Sequence, residues 1–107
     1  MADKIIMLDC SAGMSTSLLV TKMQAAAKKL GRDYNIFATS VSDIDNQLEN
    51  THPDVLMLGP QVAYMKGDVK AKTDAAKIPM AVINMQDYGM MAGDKVLATA
   101  EQLLKEG

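Results

Sequence analysis

The chain has one cysteine, Cys10, and it stands where an apolar run meets a stretch of mostly small residues. The pattern predicts a buried strand, a loop and then an amphipathic helix. A loop that opens a helix presents free backbone N–H groups and the positive end of the helix dipole, and both favour an anion. The same field favours a thiolate over a thiol. Cys10 is therefore a candidate nucleophile toward phosphorus.

The residues after the cysteine suit a phosphoryl group. The segment 11–13 is small, so its backbone amides can approach a ligand closely, and Gly13 also permits a positive φ where the loop curls. The hydroxyls of Ser15, Thr16 and Ser17 can cap the helix and donate to phosphate oxygens. The alternative is a tight strand-to-helix turn that contains an inert, buried thiol.

Several other phosphate and thiol motifs are missing from the sequence. There is no G-x-x-x-x-G-K-[ST] nucleotide loop and no C-x-x-C or C-x-x-S redox pair. A tyrosine-phosphatase loop needs an arginine six positions after its cysteine to clamp the phosphate, and Thr16 occupies that position here. The loop therefore favours a phosphoryl carrier over a phosphatase.

The hydrophobic pattern predicts four strands that alternate with helices. The strands are expected at 5–8, 35–41, 55–58 and 80–83, and the helices at about 18–30, 42–50, 62–76 and 90–105. This order predicts an α/β fold of three layers, with a four-stranded parallel sheet and helices on both faces. The loops 10–17, 41–43, 59–64 and 84–89 then meet at the carboxyl ends of the strands, where such sheets bind ligands.

Composition limits the classes of function. The 107 residues carry 11 basic and 13 acidic side chains, a net charge of −2, which is no footprint for nucleic acid. One cysteine cannot build a disulfide or a thiolate metal site, and no metal or other cofactor is expected. Neither a signal peptide nor a spanning segment is visible, so we expect a single cytoplasmic domain over 1–107 with no membrane insertion.

Two stretches resemble a known family. The sequence CSAGMSTSLLV at 10–20 resembles the phosphorylation loop of enzyme IIB in the lactose/cellobiose/diacetylchitobiose branch of the sugar phosphotransferase system. The residues GPQV at 59–62 and YM at 64–65 resemble the exit of the third strand in that family. The resemblance covers essentially the whole chain and implies a fold similar to low-molecular-weight tyrosine phosphatases.

The resemblance also implies a mechanism and partners. Cys10 would accept a phosphoryl group from a phosphohistidine of enzyme IIA and pass it to a β-linked disaccharide of the cellobiose or diacetylchitobiose type, bound by the membrane subunit, enzyme IIC. Gln61 and Tyr64 are candidate second-loop contacts, and the domain is expected to be a monomer. The residues expected to hold the phosphoryl group are Ser11, Ala12, Gly13, Met14, Ser15, Thr16 and Ser17.

The remaining polar residues near the predicted site receive structural interpretations. Asp9 is expected to point away from the thiol and to hydrogen-bond the backbone, and His52 to occupy a turn at the opposite edge of the sheet. Asp87 and Tyr88 are expected to contact a partner protein. Apolar residues beside the loop, such as Met14 and Leu18, form a hypothetical docking patch for enzymes IIA and IIC.

Two other functions remain open on the residues alone. A small cysteine-dependent phosphatase or arsenate reductase would use the same fold, but the threonine at position 16 argues against it. A receiver-like signalling module would need clustered aspartates and a lysine at the strand ends, whereas the third strand here ends in Leu58-Gly59.

Overall fold

The structure, a computed structural model, describes residues 4–10 and 14–106. The strands are β1 (Lys4–Cys10), β2 (Tyr34–Ser40), β3 (Val55–Leu58) and β4 (Met80–Val82). The helices are α1 (Met14–Lys29), α2 (Ile44–Asn50), α3 (Lys66–Ala75), α4 (Met85–Gly89) and α5 (Gly93–Glu106). Short 3₁₀ turns at Val41–Asp43 and Pro60–Met65 lead into α2 and α3. Within the described ranges, no helix combines the length and the apolar character needed to cross a membrane.

The strands form the predicted four-stranded parallel sheet, and their order is β2-β1-β3-β4. β1 lies inside the sheet, and its Ile6 stands opposite Ile36 of β2 and Val55 of β3. β4 lies at an edge, in agreement with the proline that precedes it. Because the strands are parallel, their carboxyl ends share one edge of the sheet, and Cys10 ends β1 at that edge.

The alternation of side chains along β1 divides the apolar core into two clusters. Ile6 and Leu8 face one cluster, which contains residues of α1 and α5 such as Leu19 and Leu97. Met7 faces the other cluster, which packs against α2 and α3. A strand with apolar side chains on both faces can be buried only between two helical layers, which explains the three-layer architecture.

Several element bounds differ from the sequence prediction by a few residues, and two of the differences have local causes. β1 extends to Cys10 rather than ending at Leu8, because its ladder continues to Ser40 on β2. The segment 84–89 was predicted as a loop, but it contains the short helix α4, and the last predicted helix begins at Gly93 as α5 rather than near position 90. The Asn84 side chain accepts hydrogen bonds from the amides of Gln86 and Asp87 and so starts α4.

The backbones of α1 and α5 touch at Gly93, the first residue of α5. A β-carbon at this position would lie 2.6 Å from the carbonyl carbon of Lys22 and 2.7 Å from the amide nitrogen of Met23. Both atoms belong to the backbone of α1, so they cannot move aside as a flexible side chain could. Only glycine permits this separation between the two helices.

We expect Gly93→Ala to destabilise the fold by about 1–3 kcal/mol or more, because α5 must move away from α1 to admit the methyl group. Urea unfolding of the variant measures this loss. Gly67→Ala is the matched control, since a β-carbon at this helical glycine meets nothing within 4 Å. The control should gain up to about 1 kcal/mol from helix propensity. Equal stability of the two variants would contradict the close approach of the helices.

Candidate functional site

Cys10 is the last residue of β1, and its side chain is 6% exposed at the carboxyl edge of the sheet. It is a free thiol, and its strand partner on β2 is Ser40. The chain crosses from Cys10 to the start of α1 in three residues, so the nucleophile and the amino end of a 16-residue helix are held close along the chain. The sheet positions the cysteine, and α1 supplies the dipole.

The amino end of α1 is suited to an anion. Its first turn contains no acidic side chain, whereas Lys28 and Lys29 lie in its last turn. Both distributions complement the helix dipole, which is positive at the amino end. An anion at the amino end of α1 would therefore meet backbone amides, and no charged side chain lies in the first turn.

The predicted phosphoryl-binding residues fall into three groups. Ser11, Ala12 and Gly13 lie outside the described residues. Met14 and Ser15 have helical backbone in α1, and their side chains are also outside the description. Thr16 is buried and Ser17 is exposed on the same turn of α1.

A buried hydrogen bond joins Thr16 to Tyr88 of α4. The two hydroxyl oxygens are 2.9 Å apart, although the residues are 72 positions apart in the chain. Tyr88 had been expected to contact a partner protein, but its side chain is only 8% exposed and belongs to the apolar cluster beneath α1. The segment after β4 thus contacts the buried side of the first turn of α1.

The loop after β3 approaches Cys10 through Gly59. The Gly59 amide donates to the Asp9 carbonyl at 2.7 Å. A β-carbon at Gly59 would lie 3.2 Å from Oε1 of Gln61 and 3.4 Å from Cβ of Cys10, so the Gln61 side chain and the cysteine both approach Gly59. Tyr64, in contrast, is 82% exposed and points to solvent.

Asp9 is completely buried, and neither carboxyl oxygen has a hydrogen-bond partner among residues 4–10 and 14–106. The expected hydrogen bonds to the backbone are therefore wrong. As its place before Cys10 on β1 requires, Asp9 lies on the opposite face of the sheet from the thiol, beside Thr39 and Leu58 of the neighbouring strands. The side chain does point away from the cysteine, but into an apolar layer.

The environment of Asp9 favours its neutral form. Burial, with a smaller contribution from the negative charge of Asp43, raises the pKa of Asp9 from 3.8 to about 8. Asp43 is held ionised, because hydrogen bonds from Gln47 and Asn46 lower its pKa. At neutral pH Asp9 is thus a carboxylic acid, and it places little negative charge beside an incoming phosphate.

Two residues with phosphate-binding chemistry lie away from the site. His52 is exposed before the amino end of β3 and adopts a positive φ of 51°, as expected of a turn residue. Arg32, the only arginine in the sequence, pairs with Glu101 at 3.2 Å just before the amino end of β2. Among residues 4–10 and 14–106, no three acidic, histidine or cysteine side chains cluster as metal ligands do.

The residues that sequence reasoning missed are Tyr88 and Asp43. Both occur in loops after strands of the parallel sheet, so their location at the carboxyl edge was predictable. Their contacts were not predictable, because each depends on the path of a short helix or turn. The helix α4 directs Tyr88 inward, and the turn before α2 brings Asp43 near Asp9.

Replacing Asp9 with asparagine should change how stability depends on pH. Between pH 3.8 and about 8 the folded protein keeps a proton that the unfolded chain has released, so its free energy of unfolding falls as pH rises through this window. Each pH unit in the window corresponds to about 1.4 kcal/mol. Asp9→Asn does not titrate. Its stability relative to the wild type should therefore increase by several kcal/mol between acid and mildly alkaline pH.

Urea unfolding of both proteins across this pH range measures the effect, and other titrating groups cancel in the difference between them. A difference that is constant with pH would mean that Asp9 ionises equally readily in the folded and unfolded states.

Comparison with known proteins identifies the family of the chain. The family model described as "PTS system, Lactose/Cellobiose specific IIB subunit" matches residues 5–99. The chain is 65% identical over 107 residues to a PTS system galactose-specific EIIB component of Lactococcus lactis subsp. cremoris (strain MG1363), covering 97% of this chain and 99% of the relative. The same identity and coverage relate it to a PTS system cellobiose-specific EIIB component of Lactococcus lactis subsp. lactis (strain IL1403).

A solved structure supports the same assignment. The solution structure of a cellobiose-specific phosphotransferase IIB component from Borrelia burgdorferi superposes with a TM-score of 0.79 at 34% identity, over 96% of this chain and 93% of that one. The chain belongs to the lactose/cellobiose-specific IIB subunit family of the phosphotransferase system.

Proposed function

We propose that Cys10 carries a phosphoryl group between two partners as a phosphocysteine. In the first step its thiolate attacks the phosphorus of a phosphohistidine on enzyme IIA, the S–P bond forms, and the P–N bond breaks while the imidazole ring takes one proton from solvent, which leaves a neutral histidine. In the second step a hydroxyl of a sugar on enzyme IIC attacks the phosphorus, the S–P bond breaks, and the sugar proton leaves to solvent. The thiolate is restored for the next cycle.

The observation that carries this proposal is the position of Cys10 at the end of β1, three residues before a helix whose first turn has no acidic residue. Backbone amides at a helix amino end hold phosphate without a fixed cation. The backbone of 11–17 and the hydroxyls of Ser15, Thr16 and Ser17 are the proposed cradle. Gln61, whose side chain approaches Gly59 as the cysteine does, is a proposed second-loop contact.

The placement of the single arginine favours a carrier over the phosphatase or arsenate reductase alternative. Those enzymes stabilise the hydrolytic transition state with a guanidinium at the phosphate. Here Thr16 takes the position at which the phosphatase arginine is expected, and Arg32 is paired with Glu101 at the other edge of the sheet. A loop that holds phosphate without this group suits storage and transfer rather than hydrolysis.

The proposed acceptor is a β-linked disaccharide of the cellobiose or diacetylchitobiose type. The cellobiose-specific Lactococcus relative supports this class, and the galactose-specific relative supplies the alternative sugar for the same assay. We propose that the subunit works at the cytoplasmic side of the membrane, where it meets enzyme IIA, and that it does so as a monomeric single domain.

Exposed apolar side chains surround the cysteine edge. Leu18 lies in the second turn of α1, Tyr64 follows β3 and Met85 follows β4, with exposures of 57%, 82% and 72%. These three residues, here called the apolar rim, come after three strands whose carboxyl ends share the edge. Solvated apolar groups beside a reactive residue are typical of a protein-docking surface. We propose that the apolar rim receives enzymes IIA and IIC.

The phosphocysteine is tested by intact-protein mass spectrometry after incubation with phosphoenolpyruvate, the general phosphotransferase proteins and enzyme IIA. We expect one phosphoryl group on the wild type, mapped to Cys10 by peptide analysis, and none on Cys10→Ser or when the donor chain is incomplete. Turnover of an aryl phosphate or arsenate by the isolated protein, without labelling by a phosphorylated enzyme IIA, would instead support the phosphatase alternative.

The docking surface is tested with Leu18→Asp. A charge in the apolar rim should slow phosphoryl arrival from enzyme IIA about tenfold, equivalent to about 1.4 kcal/mol. Leu30→Asp is the matched control, because Leu30 is also 57% exposed but lies just beyond the opposite end of α1. The control should transfer at the wild-type rate. Equal slowing in both variants would remove Leu18 from the interface.

A further inference from the structure

The hydrogen bond between Thr16 and Tyr88 is buried in the interior of the protein. Thr16 is 1% exposed and Tyr88 is 8% exposed, so water cannot readily replace either partner. The bond joins the first turn of α1, which follows the Cys10 loop, to the short helix that follows β4. It therefore connects two of the loops that meet at the carboxyl edge of the sheet.

Tyr88 is held firmly enough to orient a hydroxyl. Asn84 caps α4 through two hydrogen bonds from its side-chain oxygen, and the Tyr88 amide donates to the Asn84 carbonyl at 2.9 Å. The tyrosine ring lies in the apolar cluster that also contains Leu19 and Val96. Capping fixes the helix and packing fixes the ring, so the phenol oxygen has a defined position.

The two hydroxyls carry more hydrogens than this bond uses. Each hydroxyl has one hydrogen and can also accept, and the bond between them occupies one of the two hydrogens. Among the described residues, no further acceptor is recorded for either group. One O–H hydrogen at this buried position thus lacks an acceptor, and a buried donor without one is costly. An anion held at the amino end of α1 would supply it.

We infer that Tyr88 is a positioning residue for phosphoryl transfer: its phenol donates to Oγ1 of Thr16 and leaves the threonine hydrogen for a phosphoryl oxygen on Cys10. This inference rests on the proposed function and extends it to a residue outside the cysteine loop. A phenol is a stronger acid than an aliphatic alcohol and is the better donor of the pair. A hydroxyl that accepts a hydrogen bond also donates more strongly.

Tyr88→Phe tests the inference, because it removes the hydroxyl and keeps the ring that packs in the core. We expect the phosphocysteine, followed by ³¹P NMR through a pH titration, to hold its last proton to higher pH in the variant, since the dianion loses a polarised donor. Transfer from enzyme IIA should slow by roughly three- to tenfold, the effect of one hydrogen bond. A purely structural tyrosine would change the melting temperature but not the phosphoryl titration.

Tyr34→Phe is the matched control. The Tyr34 hydroxyl donates to Glu101 at 2.7 Å at the start of β2, away from the cysteine edge. This variant loses a phenol hydroxyl of the same chemistry and should keep the wild-type phosphoryl titration and transfer rate. The same change in both tyrosine variants would overturn the inference.

A double-mutant cycle supplies the second measurement. Thr16→Val removes the threonine donor, so adding Tyr88→Phe to it should have no further effect on the phosphoryl titration. Additive effects would show that Tyr88 does not act through Thr16 and would overturn the inference. Labelling of Cys10 distinguishes failure of this inference from failure of the proposed function. If the wild type is labelled and Tyr88→Phe leaves the phosphoryl titration unchanged, only the inference is refuted. If the wild type is not labelled, both are refuted.

Discussion

The pairing of β1 with a strand on each side is the constraint on which the candidate site depends. The ladder with β2 continues to Cys10, and the ladder with β3 continues to Asp9, so the strand is held to its last residues. Alternation then places the thiol and the carboxyl group on opposite faces of the sheet. Because both Asp9 and Cys10 belong to the strand, the carboxyl group does not lie beside the thiol. The helices pack against this strand but do not set its register.

The structure places few charges around a residue that is proposed to hold a dianion. The helix end offers backbone amides, the neighbouring acid is neutral at physiological pH, and the arginine is engaged elsewhere. A strong cationic clamp would stabilise the phosphorylated state and make release slow. Neutral donors disperse the charge without holding the group tightly, which suits a protein that must give the phosphoryl group away.

The sequence pattern correctly predicted features that depend on neighbouring residues in the chain. The bounds of β3 followed from a continuous apolar run between Pro53 and Gly59, and the end of α1 followed from Gly31, which has a φ of 73°. The parallel sheet and its shared edge followed from the order of the elements. The cysteine and its loop were recognisable from residue types and from the family resemblance.

What the sequence did not reveal depends on contacts between distant segments. The Thr16–Tyr88 bond spans 72 positions, and α4 lies in a segment that was predicted as a loop. Asp9 was expected to satisfy its carboxyl group with backbone donors, but no described residue offers its buried oxygens a hydrogen bond. These features become visible only when the strands and helices are assembled.

The low exposure of the Cys10 side chain also bears on its redox chemistry. A thiol activated for attack on phosphorus is equally a target for peroxide and for disulfide exchange, and susceptibility to both increases with access. With 6% of Cys10 exposed, small oxidants and glutathione have little room to reach the sulfur, and no second cysteine in the chain can trap it as an internal disulfide. Low exposure thus limits the access of oxidants to the sulfur, and a partner must fit closely against the carboxyl edge to reach it.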